Sequence, residues 1–290
     1  MVVESVARAG GLLTATDLRE YAGILAPPLT GTYRGWEVSV PPPPGGGPFL
    51  IEALGLLERL LRPGQMGHNS AEHVALLAEV MKGALRDKEA TGGDPDFADD
   101  PVAAAILAPD YLDDLAGQIR AGRRMEIGRL PMFDSRHTTH VSAVDADGLS
   151  VALTHTLSNP SGFIPSGTGF MLSGGMSAFD PRPGRVNSIA PGKRRLSSMC
   201  PTLLFDPTTG GRPGWHARAV ANLGAPGASW IGRRCCRSSR TCSTGAWTSL
   251  RRSARRGSPQ PVRQLTLPTG SPGKSRPSFR PRAIGCVGHR

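Results

Sequence analysis

Residues 138–156 constrain this chain more than any other segment. Thr138-Thr139-His140-Val141-Ser142-Ala143-Val144 alternates as a β-strand, Asp145-Ala146-Asp147-Gly148 breaks it, and Leu149 to Thr156 alternates again. Asp-Gly between two alternating runs is the strongest short-range hairpin signal a sequence carries. A threonine pair at a strand start is by itself ordinary β-propensity. A threonine becomes a nucleophile when a chain break makes it N-terminal, because its own α-amino group then serves as the base.

The rest of the body reads as helices and short strands. Thr16-Asp17-Leu18 after Gly10-Gly11 suggests a cap and a short helix, and Thr32 to Val40 reads as one strand with Tyr33, Trp36, Val38 and Val40. The run Pro41 to Pro48 (PPPPGGGP) must be irregular. Phe49 to Leu61 is an apolar helix. Asn69, with Glu72 three residues on, suggests a cap for the next helix, whose Val74, Leu77, Met81 and Ala84 recur at helical spacing. Gly92 to Phe97 is a turn, Ala104 to Ile119 one or two shorter helices, and Arg120 to Arg136 a polar connector. Glycines at 162, 167, 169, 174 and 175 around Phe170-Met171-Leu172 suggest a strand between tight turns; Thr202 to Phe205 is a further strand.

Charge divides the chain. The net charge is +11, yet residues 232–290 hold 13 Arg, one Lys and no acidic residue. The body is therefore mildly acidic, and the basic tail carries the chain-wide excess. That tail is rich in Arg, Ser and Pro, has no apolar period, and is expected to be disordered. Cys235, Cys236, Cys242 and Cys286 in it fit neither a zinc spacing nor a disulfide framework, while Cys200 reads as a small buried hydrophobe. A basic tail binds nucleic acid without sequence preference, so no specific nucleic-acid role is expected. No apolar run approaches the ~20 residues of a membrane span. Met1 to Gly11 has no apolar stretch and is not read as a secretory signal. Localisation is left unknown, with cytoplasm the default. His137, His140 and His155 lack a fourth partner at ligand spacing, so no metal is expected, and the glycine turns match no nucleotide-binding pattern.

Taken in order, these pieces resemble the γ-glutamyltranspeptidase family of N-terminal nucleophile hydrolases. The resemblance rests on Gly10-Gly11 with Asp17-Leu18, Pro41-Pro42-Pro43 with Gly46-Gly47, and Gly93-Asp94-Pro95-Asp96-Phe97. It continues through Thr138-Thr139-His140-Val141-Ser142, Pro191-Gly192-Lys193-Arg194, Leu196-Ser197-Ser198-Met199, Pro201-Thr202 and Gly224-Ala225-Pro226-Gly227, and fades near Ile231.

The resemblance implies an α/β fold (α+β by strict usage): an αββα sandwich, expected here to be incomplete. It divides the chain into residues 1–137, the end of a large-subunit-like region; 138–231, a small-subunit-like catalytic region; and the tail, 232–290. It implies self-cleavage between His137 and Thr138, giving two subunits from one precursor. Thr138 would then carry the acyl group of a γ-glutamyl amide such as glutathione to water, an amino acid or a peptide, with no cofactor. It places Thr156 beside the nucleophile and the N–H groups of Gly227 and Ala228 as oxyanion donors. Ser197 and Ser198 become carboxylate binders, and Ser158 and Asn159 substrate contacts.

The departures raise two alternatives. Ala178 stands where the family carries an acid that grips the substrate's α-amino group, Gly174 and Gly175 replace polar residues, and Lys88 replaces an arginine. These favour an acylase working on another amide. The other alternative is an inactive fragment. The chain is expected to begin inside the family's large subunit, and the tail reads like an out-of-frame translation. Relatives in the family are often periplasmic or secreted.

Overall fold

The computed structural model describes residues 1–61, 66–67, 69–97, 102–127, 138–206 and 219–225. The tail with its four cysteines, His137, and the turn holding Gly227 and Ala228 lie outside them.

Two short helices open the chain, α1 (Val2–Arg8) and α2 (Ala15–Glu20). The cap of α2 is Thr14 rather than Thr16. Its hydroxyl accepts from the Asp17 N–H, and the Asp17 carboxylate accepts from the Thr14 N–H, a reciprocal arrangement that satisfies two donors at once. Next come two strands, β1 (Leu29–Tyr33) and β2 (Trp36–Val40). Here the expected single strand folds back on itself. Arg34 and Gly35 both take positive φ (52° and 78°), the pairing a tight hairpin turn requires. Alternation continues on both sides of such a two-residue turn, so the pattern concealed the break.

Helix α3 (Gly47–Leu60) follows the proline-glycine run, and α4 (Ala71–Thr91) packs beside it. The cap of α4 is Ser70, whose hydroxyl accepts from the His73 N–H; Asn69 instead takes a left-handed φ of 61°. The expected buried stripe holds except at its first member. Met81 and Ala84 are buried with Val80 and Leu85, Leu77 is partly buried against the core, and Val74 is exposed. Ala104 to Ile119 resolves into α5 (Val102–Ile106) and α6 (Pro109–Arg120). No described helix is long and apolar enough to cross a membrane.

The remaining strands are β3 (Thr138–Val144), β4 (Ser150–Thr156), β5 (Thr202–Phe205) and β6 (Ala221–Leu223). They form an antiparallel sheet in the order β1-β2-β5-β6 and a separate β3-β4 ribbon. The expected strand near Phe170 is absent among the described residues. Residues 157–200 run instead as turns held by single bridges, Pro160 to Ser173 and Asp180 to Ser188, with a short 3₁₀ turn at Gly175–Ala178. Glycines with positive φ at 162, 167 and 169 prevent a continuous ladder there.

The sheet has two unlike faces. Trp36, Val38, Val40, Leu204, Ala221 and Leu223 bury one face together with Leu50, Ala53, Leu54 and Leu57 of α3 and with Val80, Leu85 and Leu115 of α4 and α6. Burial of such side chains stabilises by about 1.5–3 kcal/mol each. Asn222, between Ala221 and Leu223, points the other way and meets the ribbon. The layers are thus helices, sheet and ribbon, an α+β arrangement of antiparallel strands.

A polar cluster sits inside the helical layer. Glu52 of α3 is fully buried, and its oxygens lack a hydrogen-bond partner at normal geometry. Burial first, and the adjacent Asp87 next, push its carboxyl well above the usual carboxylate range. Asp87 is held down despite burial by Arg86 (2.8 Å) and by the Tyr111 hydroxyl (2.5 Å). A carboxyl raised on folding contributes stability that is complete below its unfolded pKa and is lost as pH rises through its folded one. The Glu52→Gln variant should therefore gain on the parent as pH climbs above about 4.3, by up to about 1.4 kcal/mol per pH unit within that window. Thermal unfolding of both proteins from pH 4 to 8 checks this; a pH-independent difference would refute a raised Glu52 carboxyl.

Candidate active site

The ribbon places the threonines. Register pairs Thr138 directly with Thr156 at its open end, and Thr138 is buried, with 7% of its surface exposed. The Thr138 hydroxyl donates to Thr156 Oγ1 at 3.0 Å. Thr156 Oγ1 also accepts the Ser158 N–H at 3.0 Å. Ser158 reaches it through a left-handed turn, φ 58°, an uncommon conformation for a side-chain-bearing residue. Asn159 follows; its carbonyl accepts the Gly174 N–H (2.8 Å), and its Nδ2 donates to Ser177 Oγ (3.2 Å). Four of the expected residues, Thr138, Thr156, Ser158 and Asn159, thus form one connected set leading into the loop that ends at Ala178.

The ribbon turns its polar side inward. Thr138, His140, Ser142, Thr154 and Thr156 face the sheet, while Val141, Val151 and Leu153 are about half exposed. Asn222 explains the choice. Its Nδ2 donates to Ser150 Oγ (3.0 Å) and to the Val151 carbonyl (2.8 Å), which leaves Oδ1 to accept the Ser142 hydroxyl (2.8 Å). Ser142 Oγ then accepts from His140 Nε2 (3.0 Å), so Nδ1 accepts the Thr154 hydroxyl (2.7 Å). The donor sequence assigns His140 as the neutral Nε2–H tautomer, in keeping with the downward shift that burial imposes on it. His140 is therefore structural, as expected.

The His140 ring also lies against Gly224. A Cβ there would sit 2.0 Å from Nδ1, so only glycine lets the chain after β6 lie on β3. Sequence reading gave Asn222 no role, because a three-residue strand is too short to show a period.

Ser197 and Ser198 are held by other elements. The Ser197 N–H donates to the Pro44 carbonyl (2.8 Å), and its Oγ accepts from the Met199 N–H (3.1 Å). Ser198 Oγ accepts from Lys88 Nζ of α4. The Gly46 N–H donates to the Met199 carbonyl (2.9 Å), and a Cβ on Gly46 would strike the Ser198 carbonyl at 2.7 Å. The proline-glycine run is thus the seat on which the serine pair rests. Desolvation lowers the Lys88 ammonium to about 8, and burial pushes the neighbouring Cys200 thiol up to about 12; Cys200 is a buried, inert hydrophobe.

Asp94 fastens the same segment from the other end. It is 1% exposed and takes the Arg194 backbone N–H (2.7 Å) and guanidinium, with Asp96 on the same guanidinium (2.7 Å). Burial pushes Asp94 up, but these bonds outweigh it and hold the carboxylate below its ordinary range. The structure therefore joins the Gly93–Phe97 and Lys193–Arg194 motifs into one clamp. Gly227 and Ala228 lie outside the described residues. Among the described residues no group of three His, Cys, Asp or Glu side chains is placed to hold a metal.

Gly224→Ala should destabilise the protein by about 1–3 kcal/mol through overpacking. Combined with His140→Ala, the total loss should be smaller than the sum of the two single losses, because the ring that the new methyl strikes is gone. Denaturant unfolding of the four proteins measures this; strict additivity would show that ring and glycine are independent.

The chain is similar to known proteins in sequence and fold. The glutathione hydrolase proenzyme of Escherichia coli (strain K12) is 35% identical over 221 residues, 70% of this chain and 38% of the relative. The acylase ACY 1 proenzyme of Pseudomonas sp. (strain SE83) is 36% identical over 232 residues, 78% of this chain and 39% of the relative. The crystal structure of cephalosporin acylase from Bacillus halodurans superposes with a TM-score of 0.60 at 23% identity, over 80% of this chain and 41% of that one. The chain thus spans about two fifths of the length of the curated relatives it matches. A family model for gamma-glutamyltranspeptidase matches residues 1–236, and the chain belongs to that family.

Proposed function

We propose that Thr138 is the nucleophile of a self-processing enzyme that hydrolyses or transfers the acyl group of γ-glutamyl-type amides. The observation that carries this reading is the Thr138–Thr156 hydroxyl pair at 3.0 Å at the buried start of β3. Family relatives named glutathione hydrolase and acylase support the amide chemistry.

In the precursor, the Thr138 hydroxyl attacks the His137 carbonyl carbon. The C–N bond to Thr138 breaks, its nitrogen takes a proton, and an ester joins His137 to Thr138 Oγ1. Water hydrolyses that ester, leaving a carboxylate on His137 and freeing the Thr138 hydroxyl beside its now terminal α-amine. The amine then accepts the hydroxyl proton as Oγ1 attacks a substrate amide and hands it to the leaving amine. Water or an acceptor amine resolves the acyl-enzyme. Thr156 positions Oγ1 throughout. Developing negative charge needs preorganised donors, a role this reading gives to the Gly227 and Ala228 N–H groups. Ser197 and Ser198 take the acyl group's carboxylate in this reading.

The full chain should convert on incubation into two fragments, one beginning at Thr138, by intact mass and N-terminal sequencing. Thr138→Ala should stay whole. Thr156→Ala should cleave more slowly, about 5–30-fold, as loss of one positioning hydrogen bond of about 1–2 kcal/mol implies. A parent chain that stays uncut under the same conditions would overturn the reading and leave the inactive fragment in its place.

A further inference from the structure

Two lysines of α4 differ in what holds their charge. Lys82 pairs with Glu79 at 2.6 Å. Among the described residues no carboxylate stands at ion-pair distance from Lys88; its ammonium donates to Ser198 Oγ and lies 5.8 Å from the centre of the Phe49 ring on α3. A ring face favours a cation, but desolvation outweighs the charges nearby and lowers the ammonium to about 8. Those charges are Cys200 and Glu89. Burial pushes the Cys200 thiol up to about 12, so it stays protonated at neutral pH. Glu89, next along α4, is raised by burial and lies in the field of Arg182 and Asp180 as well as Lys88. Asp87, the preceding residue, is held by Arg86 and Tyr111. An arginine at position 88 would stay charged at any working pH; this lysine does not.

The geometry around Ser198 makes that charge matter. The backbone on either side is fixed, by the Ser197 N–H on the Pro44 carbonyl (2.8 Å) and the Gly46 N–H on the Met199 carbonyl (2.9 Å). The side chain is held only by Lys88, and among the described residues no acceptor takes the Ser198 hydroxyl proton. Ser198 is also only partly buried, so that proton is free to turn toward a ligand. An ammonium has three donors and no acceptor, whereas a neutral amine carries a lone pair. While Lys88 is charged, the Ser198 proton must point elsewhere. When Nζ gives one proton to water, its lone pair accepts the Ser198 O–H instead, and the hydroxyl turns its oxygen lone pairs outward.

We propose that Lys88 is a positioning residue whose protonation switches the serine pair: the charged form turns the Ser198 hydroxyl proton toward an incoming carboxylate, and the neutral form draws that proton back and weakens anion binding. This rests on the reading above for what the serine pair binds. The two effects act together, since deprotonation removes both a hydrogen-bond donor aimed at the anion and a positive charge behind it. By linkage, a bound carboxylate raises the proton affinity of Lys88 in turn.

The test is calorimetric titration of the full chain with L-glutamate at pH 7 and pH 9, beside Lys88→Arg and Lys88→Met. The affinity of the parent relative to Lys88→Arg should fall about tenfold over that interval, as expected of a group that titrates midway. The ligand's own amine is common to both proteins and cancels. Lys88→Met should bind weakly at both values. NMR of labelled lysine ε-carbons, in a chain with four lysines, should show Lys88 titrating near pH 8 and moving upward when glutamate is bound. A merely structural lysine would not tie affinity to its own protonation. The same pH dependence in parent and Lys88→Arg, no glutamate binding at pH 7, or a Lys88 signal that titrates with the ordinary lysines would overturn the proposal. Should Lys88→Met fail to fold, the arginine comparison and the NMR signal still decide. Cleavage at Thr138 with no Lys88-linked pH dependence sinks only the switch; Lys88-linked binding in a chain that stays uncut sinks only the nucleophile.

Discussion

The ribbon's attachment to the sheet through Asn222 is the contact on which the site depends. One buried amide uses both donors and its acceptor on β3 and β4. A two-stranded ribbon is marginal alone, and a polar face buried without partners would be destabilising. With Asn222 in place the polar face is satisfied inside, and Thr138 is carried in with it. Gly224, two residues along, lets the His140 ring close against the same strand. The strand that supports Thr138 therefore also precedes, in sequence, Gly227 and Ala228, the proposed oxyanion donors.

A second fastening works on the opposite side. Asp94 and Asp96 hold Arg194, Lys88 holds Ser198, and Pro44 and Gly46 hold the backbone on either side of the serine pair. These contacts come from three separate stretches of sequence. They converge because α3 and α4 pack face to face over the sheet, with the Glu52–Asp87–Tyr111 cluster between them. Asp87 and Lys88 are adjacent on α4, so one helix sets a carboxylate held below its ordinary range beside Glu52 of α3 and presents a desolvated ammonium to Ser198.

Much of this was legible in the chain. The β3-β4 hairpin, α3, β5, and the buried, inert character of Cys200 follow from alternation, helical period and composition. The pairing of Thr138 with Thr156 follows once the hairpin register is known. Other features were misread for definite reasons. A two-residue turn hid the β1-β2 hairpin inside one alternating run. Ser70 displaced Asn69 as the α4 cap because its neighbour took the left-handed turn. Glycine φ values dissolved the strand expected near Phe170.

The sequence by itself determined the elements and the chemical candidates, because local periodicity and turn chemistry act over a few residues. Tertiary structure decided which way they face. Alternation would bury Val141, Val151 and Leu153 and expose Thr138, His140 and Ser142; the ribbon does the reverse, since Asn222 offers hydrogen bonds to one face only. Tertiary structure also separated Arg194 from Arg195, identical in type and adjacent in the chain. One meets Asp94 from about 100 residues away, and the other meets a glycine and, among the described residues, no acid at ion-pair distance. What a charged side chain holds depends on what the distant chain places beside it, and no local pattern encodes that.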